Sequence, residues 1–185
     1  MKRKNLLDAA GISRTLGRLA LEIAERLHGC KGVVLIGIHR RGVPLARRIA
    51  EKLQEVEKVK IPVGTLDINL YRDDFSSAGA APVLRGTQVG FDIEGQTVVL
   101  VDDVLFTGKT IRAALDALVD LGRPARVQLA VLVDRGHREL PIQADYVGLS
   151  LNTRREDHVE LHLEEMDGED ALLLETQLAG KEAKP

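Results

Sequence analysis

The sequence predicts an α/β protein built on a mainly parallel central sheet, with helices on both faces. Two apolar runs of strand length, Val33 to Ile38 and Val98 to Val101, are unbroken and rich in β-branched residues, as in strands buried on both sides. Other segments place their apolar residues at helical spacing. The two kinds alternate along most of the chain, which is the order of βα units.

Ile12, Leu16, Leu19, Ile23 and Leu27 fall on one helical face, with Asp8 as N-cap and Gly29 as stop. Val33 to Ile38 then reads as a buried strand. After Arg40-Arg41-Gly42 the stretch from Val43 to Leu53 reads as a helix. Val59 to Ile68 alternates and predicts a second strand. Periodicity fades between Asn69 and Gly95, as in a functional lid or an excursion from the fold. A strand over Thr97 to Val101, a helix over Thr110 to Leu121 and a strand over Arg126 to Val133 follow. Beyond Glu156, acidic residues dominate and short apolar runs (Val159, Leu161, Leu163; Ala171 to Leu174) predict extra strands outside the βα rhythm.

The chain has 185 residues, enough for one domain with a sizeable core and too few to expect two. It shows no internal repeat, so residues 1–185 read as a single domain. Aromatics are only 3%, which argues against base-stacking platforms for single-stranded nucleic acid. A formal charge of −2 leaves any nucleic-acid contact to a local basic face. Cys30 is alone, so neither a disulfide nor a thiolate metal site is expected. No membrane span or secretory leader is visible, and a cytoplasmic location is expected.

The richest segment runs from Val98 to Thr110 (VVLVDDVLFTGKT). Asp102 and Asp103 sit at the carboxyl end of a buried parallel strand, where open α/β sheets bind ligands. Carboxylates accept hydrogen bonds and so suit a vicinal diol such as the ribose 2′- and 3′-hydroxyls. Thr107-Gly108-Lys109-Thr110 opens a helix whose amides and dipole favour an anion. The Gly-Lys-Thr ending is not a P-loop. That motif needs glycine five positions before Gly108, and Asp103 stands there.

This run resembles the phosphoribosyl-pyrophosphate signature of type I phosphoribosyltransferases. The resemblance implies that Asp102 and Asp103 bind the ribose hydroxyls, while Val104, Leu105, Phe106, Thr107, Gly108, Lys109 and Thr110 wrap the 5′-phosphate. It also implies Mg2+, held mainly by substrate oxygens near the two aspartates. Gly37-Ile38-His39-Arg40-Arg41-Gly42 is similar to the family's pyrophosphate loop, with Arg40 and Arg41 facing phosphate oxygens. Leu70-Tyr71-Arg72-Asp73-Asp74 looks like its catalytic lid, spanning about 71–94, with Tyr71 and Arg72 as the residues that act over the substrate. The implied fold adds a small C-terminal hood, contributed by about 135–185.

The segment from Val131 to Ile142 (VLVDRGHRELPI), with Leu70 to Asp74 and Asp116 to Pro124, resembles the bifunctional pyrimidine-operon regulator and uracil phosphoribosyltransferase family (PyrR). The likeness extends from about Ile12 to about Leu163. It implies synthesis of UMP and pyrophosphate from uracil and phosphoribosyl pyrophosphate, and UMP-responsive binding of pyrimidine-operon mRNA. It also implies Arg135 and Val159 at the nucleotide-binding hood, and a homodimer or homotetramer. Arg14, Arg18 and Arg26 share one face of the first helix and could meet RNA phosphates. Arg18–Glu22 and Glu22–Arg26 are equally helix-spaced ion pairs. Arg138 matches a further RNA position of the family. Gly17, Leu21, Gln143 and Leu149 depart from it, standing where polar or basic residues are familiar. Two other readings remain open from sequence: an RNA-binding UMP sensor with little catalysis, and a phosphoribosyltransferase for another base without RNA binding.

Overall fold

A computed structural model describes residues 2–69 and 86–176. In chain order the elements are β1 (Lys2–Asp8), α1 (Ala9–Arg26), β2 (Val33–Ile38), α2 (Gly42–Glu57), β3 (Val63–Leu66), β4 (Thr97–Leu105), α3 (Lys109–Leu121), β5 (Arg126–Asp134), β6 (Tyr146–Ser150), β7 (His158–His162), α4 (Glu164–Asp167) and β8 (Ala171–Thr176). A five-stranded sheet has the order β3-β2-β4-β5-β6, and every neighbouring pair in it is parallel. A three-stranded antiparallel sheet, β1-β8-β7, forms the hood.

The strand period of two sorts β4 between two cores. Val99 and Val101 join α1, α2 and the hood residues Val159, Leu161 and Leu172 on one face. Val98 and Leu100 join Ile111, Ala114 and Leu118 of α3, with Ile93, on the other. Burial of β2 along its whole length follows from its central place between β3 and β4.

Asp8 caps α1 as expected, its carboxylate accepting from the Gly11 amide at 2.7 Å. The other end closes in a Schellman arrangement: the His28 amide donates to Glu25 O and the Gly29 amide to Ala24 O. Here His28, at φ +53°, is the left-handed residue, one position before the predicted stop.

Several expectations need correction. The predicted strand from Val59 to Ile68 shrinks to Val63–Leu66. The strand predicted to end at Val101 runs on to Leu105, so Asp102 and Asp103 lie within paired backbone rather than beyond it. Within the stretch of about 71–94 expected to form a lid, Gln88 bridges to Thr65 and Ile93 is buried against α3, so residues 86–94 lie along the sheet's flank. The hood is not purely C-terminal, because the N-terminal strand β1 supplies one of its edges, and β6 within 135–185 joins the main sheet. Among the described residues no helix is long and apolar enough to cross a membrane.

Candidate active site

The carboxyl ends of β2 and β4 open on a cleft of about 300 Å³. His39, Arg40, Arg41, Ile68, Asn69, Asp102, Asp103, Val104 and Thr110 line it. Two glycines bring its walls together. A Cβ on Gly37 would lie 2.5 Å from the Val43 Cα, and one on Gly42 would lie 2.3 Å from the Val101 carbonyl oxygen. The loop between β2 and α2 therefore passes directly over β4. That loop contains a cis peptide between His39 and Arg40.

Asp102 is buried, and its carboxyl is pushed well above the usual carboxylate range by burial and then by neighbouring Asp103. The Asp103 amide donates to Asp102 Oδ1 at 2.9 Å, and the Val104 amide donates to Asp103 Oδ1 at 2.9 Å. Each acid is thus oriented by the backbone amide that follows it. Both acids line the cleft.

The turn from Val104 to Thr110 is held by its carbonyls. The Arg135 amide donates to Leu105 O, Arg138 Nη1 to Phe106 O at 2.8 Å, and the Glu139 and Leu140 amides to Thr107 O. By contrast, the amides of Thr107, Gly108 and Thr110 find no acceptor among the described residues. They open the first turn of α3, where orphan amides and the helix dipole favour an anion. Gly108, at φ +93°, makes the turn in a conformation that costs other residues energy. Lys109 Nζ is 2.8 Å from Glu139, whose carboxylate also meets Arg155. Lys109 and then Arg155 hold the Glu139 carboxyl below its ordinary range.

Arg135 is buried beneath the hood, with its guanidinium carbon 4.2 Å from the Phe106 ring centroid. Its Nη2 donates to the carbonyls of Arg154 and Arg155, and burial lowers its pKa. His137 packs edge-on to Phe106, with Nε2 2.7 Å from Thr153 O. Val159 is placed differently from Arg135. Its side chain is in the hydrophobic core, so any ligand contact there falls to the backbone of β7, an edge strand.

Arg40 is exposed at the cleft and has no hydrogen-bond or ion-pair partner among the described residues. Arg41 behaves otherwise: Nη2 lies 3.1 and 3.2 Å from the two carboxylate oxygens of Asp167 on α4. Tyr71 and Arg72 lie outside the described residues.

The predicted RNA face divides. Arg14 is exposed and has no partner among the described residues. Arg18 does not form the expected pair with Glu22. It reaches instead to the carbonyls of Val147 and Gly148 on β6, because α1 packs along that sheet edge. Arg26 does pair with Glu22, at 2.8 Å, and donates to Asp145 O while stacking on Tyr146. Arg138 is an internal brace: it donates to Ile142 O, Phe106 O and Gly136 O and pairs with Asp134. Leu21 is half exposed, Gln143 is exposed, and Leu149 packs on the core.

Sequence reasoning missed Asp134, Glu139 and Asp167. The spacing of Asp134 and Arg138, a helical i,i+4 step occurring in a loop, gave a misleading signal if any. Nothing local marks the other two, since their partners are distant in sequence.

Residues 2–166 match the phosphoribosyl transferase domain family. The bifunctional protein PyrR of Roseiflexus sp. (strain RS-1) is 61% identical over 168 residues, covering 91% of this chain and 92% of its own length. The bifunctional protein PyrR of Deinococcus radiodurans is 55% identical over 172 residues, covering 93% and 94%. Among solved structures, a hypoxanthine phosphoribosyltransferase from Staphylococcus aureus superposes with a TM-score of 0.69 at 18% identity, covering 94% of this chain and 92% of its own. That of Trypanosoma cruzi gives 0.68 at 21%, covering 92% and 95%. At such identities these structures speak to the fold, which is the type I phosphoribosyltransferase fold the sequence predicted.

Proposed function

Because this chain belongs to the phosphoribosyl transferase domain family and, within it, to the bifunctional PyrR proteins, we propose that it makes UMP and pyrophosphate from uracil and phosphoribosyl pyrophosphate and binds pyrimidine-operon mRNA in response to UMP. The observation that carries the enzymatic half is the turn before α3, with its carbonyls bonded to residues 135–140 and the amides of Thr107, Gly108 and Thr110 without acceptors among the described residues, directly after Asp102 and Asp103. The 5′-phosphate sits on the amides of Thr107, Gly108 and Thr110, and the ribose hydroxyls sit on the two acids. Burial, and then neighbouring Asp103, raise the pKa of the Asp102 carboxyl, and the oxygens of both acids are available to the diol as acceptors. Arg40 and Arg41 face the pyrophosphate. The lid with Tyr71 and Arg72 excludes water while the C1–pyrophosphate bond breaks. Such a transfer needs positioning and charge stabilisation rather than a strong nucleophile.

Mg2+ fits this donor set, since the acids facing the cleft offer oxygen only and the ion keeps its water or substrate oxygens readily. When bound, it supplies charge neutralisation on the leaving diphosphate. The protein acts in the cytoplasm, where free bases and messenger RNA are both present. Arg14, exposed on α1, contributes the RNA contact of that helix.

Pyrophosphate release is measured with uracil, hypoxanthine and orotate as alternative acceptors, and release with uracil alone is expected. UMP binding without any release would leave a sensor rather than an enzyme. Leader RNA binding, titrated with and without UMP, tests the regulatory half, and equal affinities would refute it.

A further inference from the structure

We infer that Asp167, on the hood helix α4, is a positioning residue for pyrophosphate recognition, acting through Arg41 of the loop between β2 and α2. This rests on the reading of that loop as the pyrophosphate site. Arg41 lines the cleft, yet its guanidinium is not free to choose its direction. Nη2 is bonded to both carboxylate oxygens of Asp167, and only about a quarter of each side chain is exposed (27% and 24%). Nε is buried without an acceptor among the described residues. A buried donor left unpaired is costly, so the paired bonds to Asp167 are what hold this guanidinium in place.

Asp167 is itself fixed. The Leu163 amide donates to its Oδ2 at 2.9 Å, and its own amide donates to Leu163 O at 2.7 Å. The Leu163 amide first, and Arg41 with it, hold its carboxyl below the ordinary range, so it remains charged at neutral pH. The segment around it is docked on α2 by a second arginine. Arg48, two turns beyond Arg41, bonds Glu165 and Asp170 with both arms of its fork. Those two carboxylates are engaged by Arg48, so Asp167 is the acid left to orient Arg41. The hood thereby sets the direction of a cation in the cleft from outside the cleft.

The chemistry of the two ligands then separates. A diphosphate ester places its leaving group against Arg40 and Arg41. UMP carries only a 5′-phosphate, which belongs to the amides before α3, away from Arg41. Loss of Asp167 should weaken diphosphate binding and leave the nucleoside monophosphate alone. A mere staple between hood and α2 would instead affect both ligands or neither.

The test uses the full-length protein and its Asp167→Asn variant, which keeps an oxygen for the Leu163 amide. Inorganic pyrophosphate with Mg2+, and UMP separately, are titrated calorimetrically. Pyrophosphate affinity is expected to fall about tenfold in the variant, the scale of a charge-assisted hydrogen bond, with UMP affinity changed by less than about twofold. In an Arg41→Ala background, adding Asp167→Asn should cost nothing more, since its effect runs through Arg41. Equal losses for both ligands, no loss for pyrophosphate, additive effects in the double variant, or a wild-type protein that binds no pyrophosphate would each overturn the inference. Uracil turnover by the wild-type protein is measured alongside. If it fails while the pyrophosphate selectivity holds, the enzymatic reading falls and the role of Asp167 stands.

Discussion

Replacing Gly42 with alanine should separate the two halves of the cleft. The new methyl group would lie 2.3 Å from the Val101 carbonyl oxygen and 3.3 Å from the Asp102 Cα. Neither neighbour is a flexible side chain, so the α2 start and β4 must part by about 1 Å to reach ordinary van der Waals contact. Arg40 and Arg41 immediately precede Gly42, and Asp102 follows Val101, so the displacement falls between the two walls of the cleft, proposed for pyrophosphate and for ribose. A misplacement of about 1 Å costs on the order of a hundredfold in rate. Overpacking of this kind costs about 1–3 kcal/mol in stability. The assay is kcat/KM for pyrophosphate release, with urea denaturation on the same samples. Gly90→Ala is the control, since a Cβ there meets nothing within 4 Å. Wild-type kcat/KM and an unchanged unfolding midpoint in Gly42→Ala would refute the close approach.

Asp102→Asn and Asp103→Asn should both lower uracil turnover, and normal rates in both would remove the ribose assignment. Asp102 has a raised pKa, so the folded state holds its proton where the unfolded chain has lost it. Stability therefore falls as pH rises from the unfolded pKa, about 4, through the folded one, and Asp102→Asn should unfold later than wild type at pH 8 with that advantage shrinking towards pH 4. A wild type that is the more stable at pH 8 would contradict this. Arg138→Ala strips three carbonyls and Asp134 of a shared partner and should cost about 2–3 kcal/mol in urea unfolding. If it instead leaves stability intact and flattens the salt dependence of RNA binding, its place is on the RNA face. Arg14→Ala should leave unfolding unchanged and reduce the slope of log affinity against log salt by about 0.7–0.9 for leader RNA. An unchanged slope would clear α1 of phosphate contact there.

The parallel sheet was legible because its evidence is local. Val33 to Ile38 and Val98 to Val101 are apolar without interruption, and a strand buried on both faces leaves that trace in consecutive residues. The hood was only half legible. β7 and β8 show as short apolar alternations, whereas β1 (KRKNLLD) is mostly charged and polar and owes its form to the ladder with β8. Context rather than intrinsic preference makes such a strand. The same holds for Arg18. The helical spacing offers it Glu22, but the close edge of β6 offers two carbonyls, and the tertiary partner wins.

In the candidate site the split follows the same line and explains why the Val98 to Thr110 run is insufficient by itself. Its side chains and glycine are contiguous, so their arrangement reads directly from sequence. What would suit the segment to the proposed anion is the tying-up of its carbonyls, and that is done by residues 135–140. A free turn would present acceptors and donors together, and the acceptors would repel a phosphate. Arg135, Arg138, Glu139 and Leu140 bind the carbonyls of Leu105, Phe106 and Thr107, leaving donors on the ligand's side. Asp167 acts comparably on the other wall, fixing a cation that the sequence shows only as one of two adjacent arginines. The proposed binding residues of each wall are thus contiguous in sequence, while those that aim them come from segments 32 to 126 residues away in the Arg138 and Asp167 cases. Only the structure brings the second set into view.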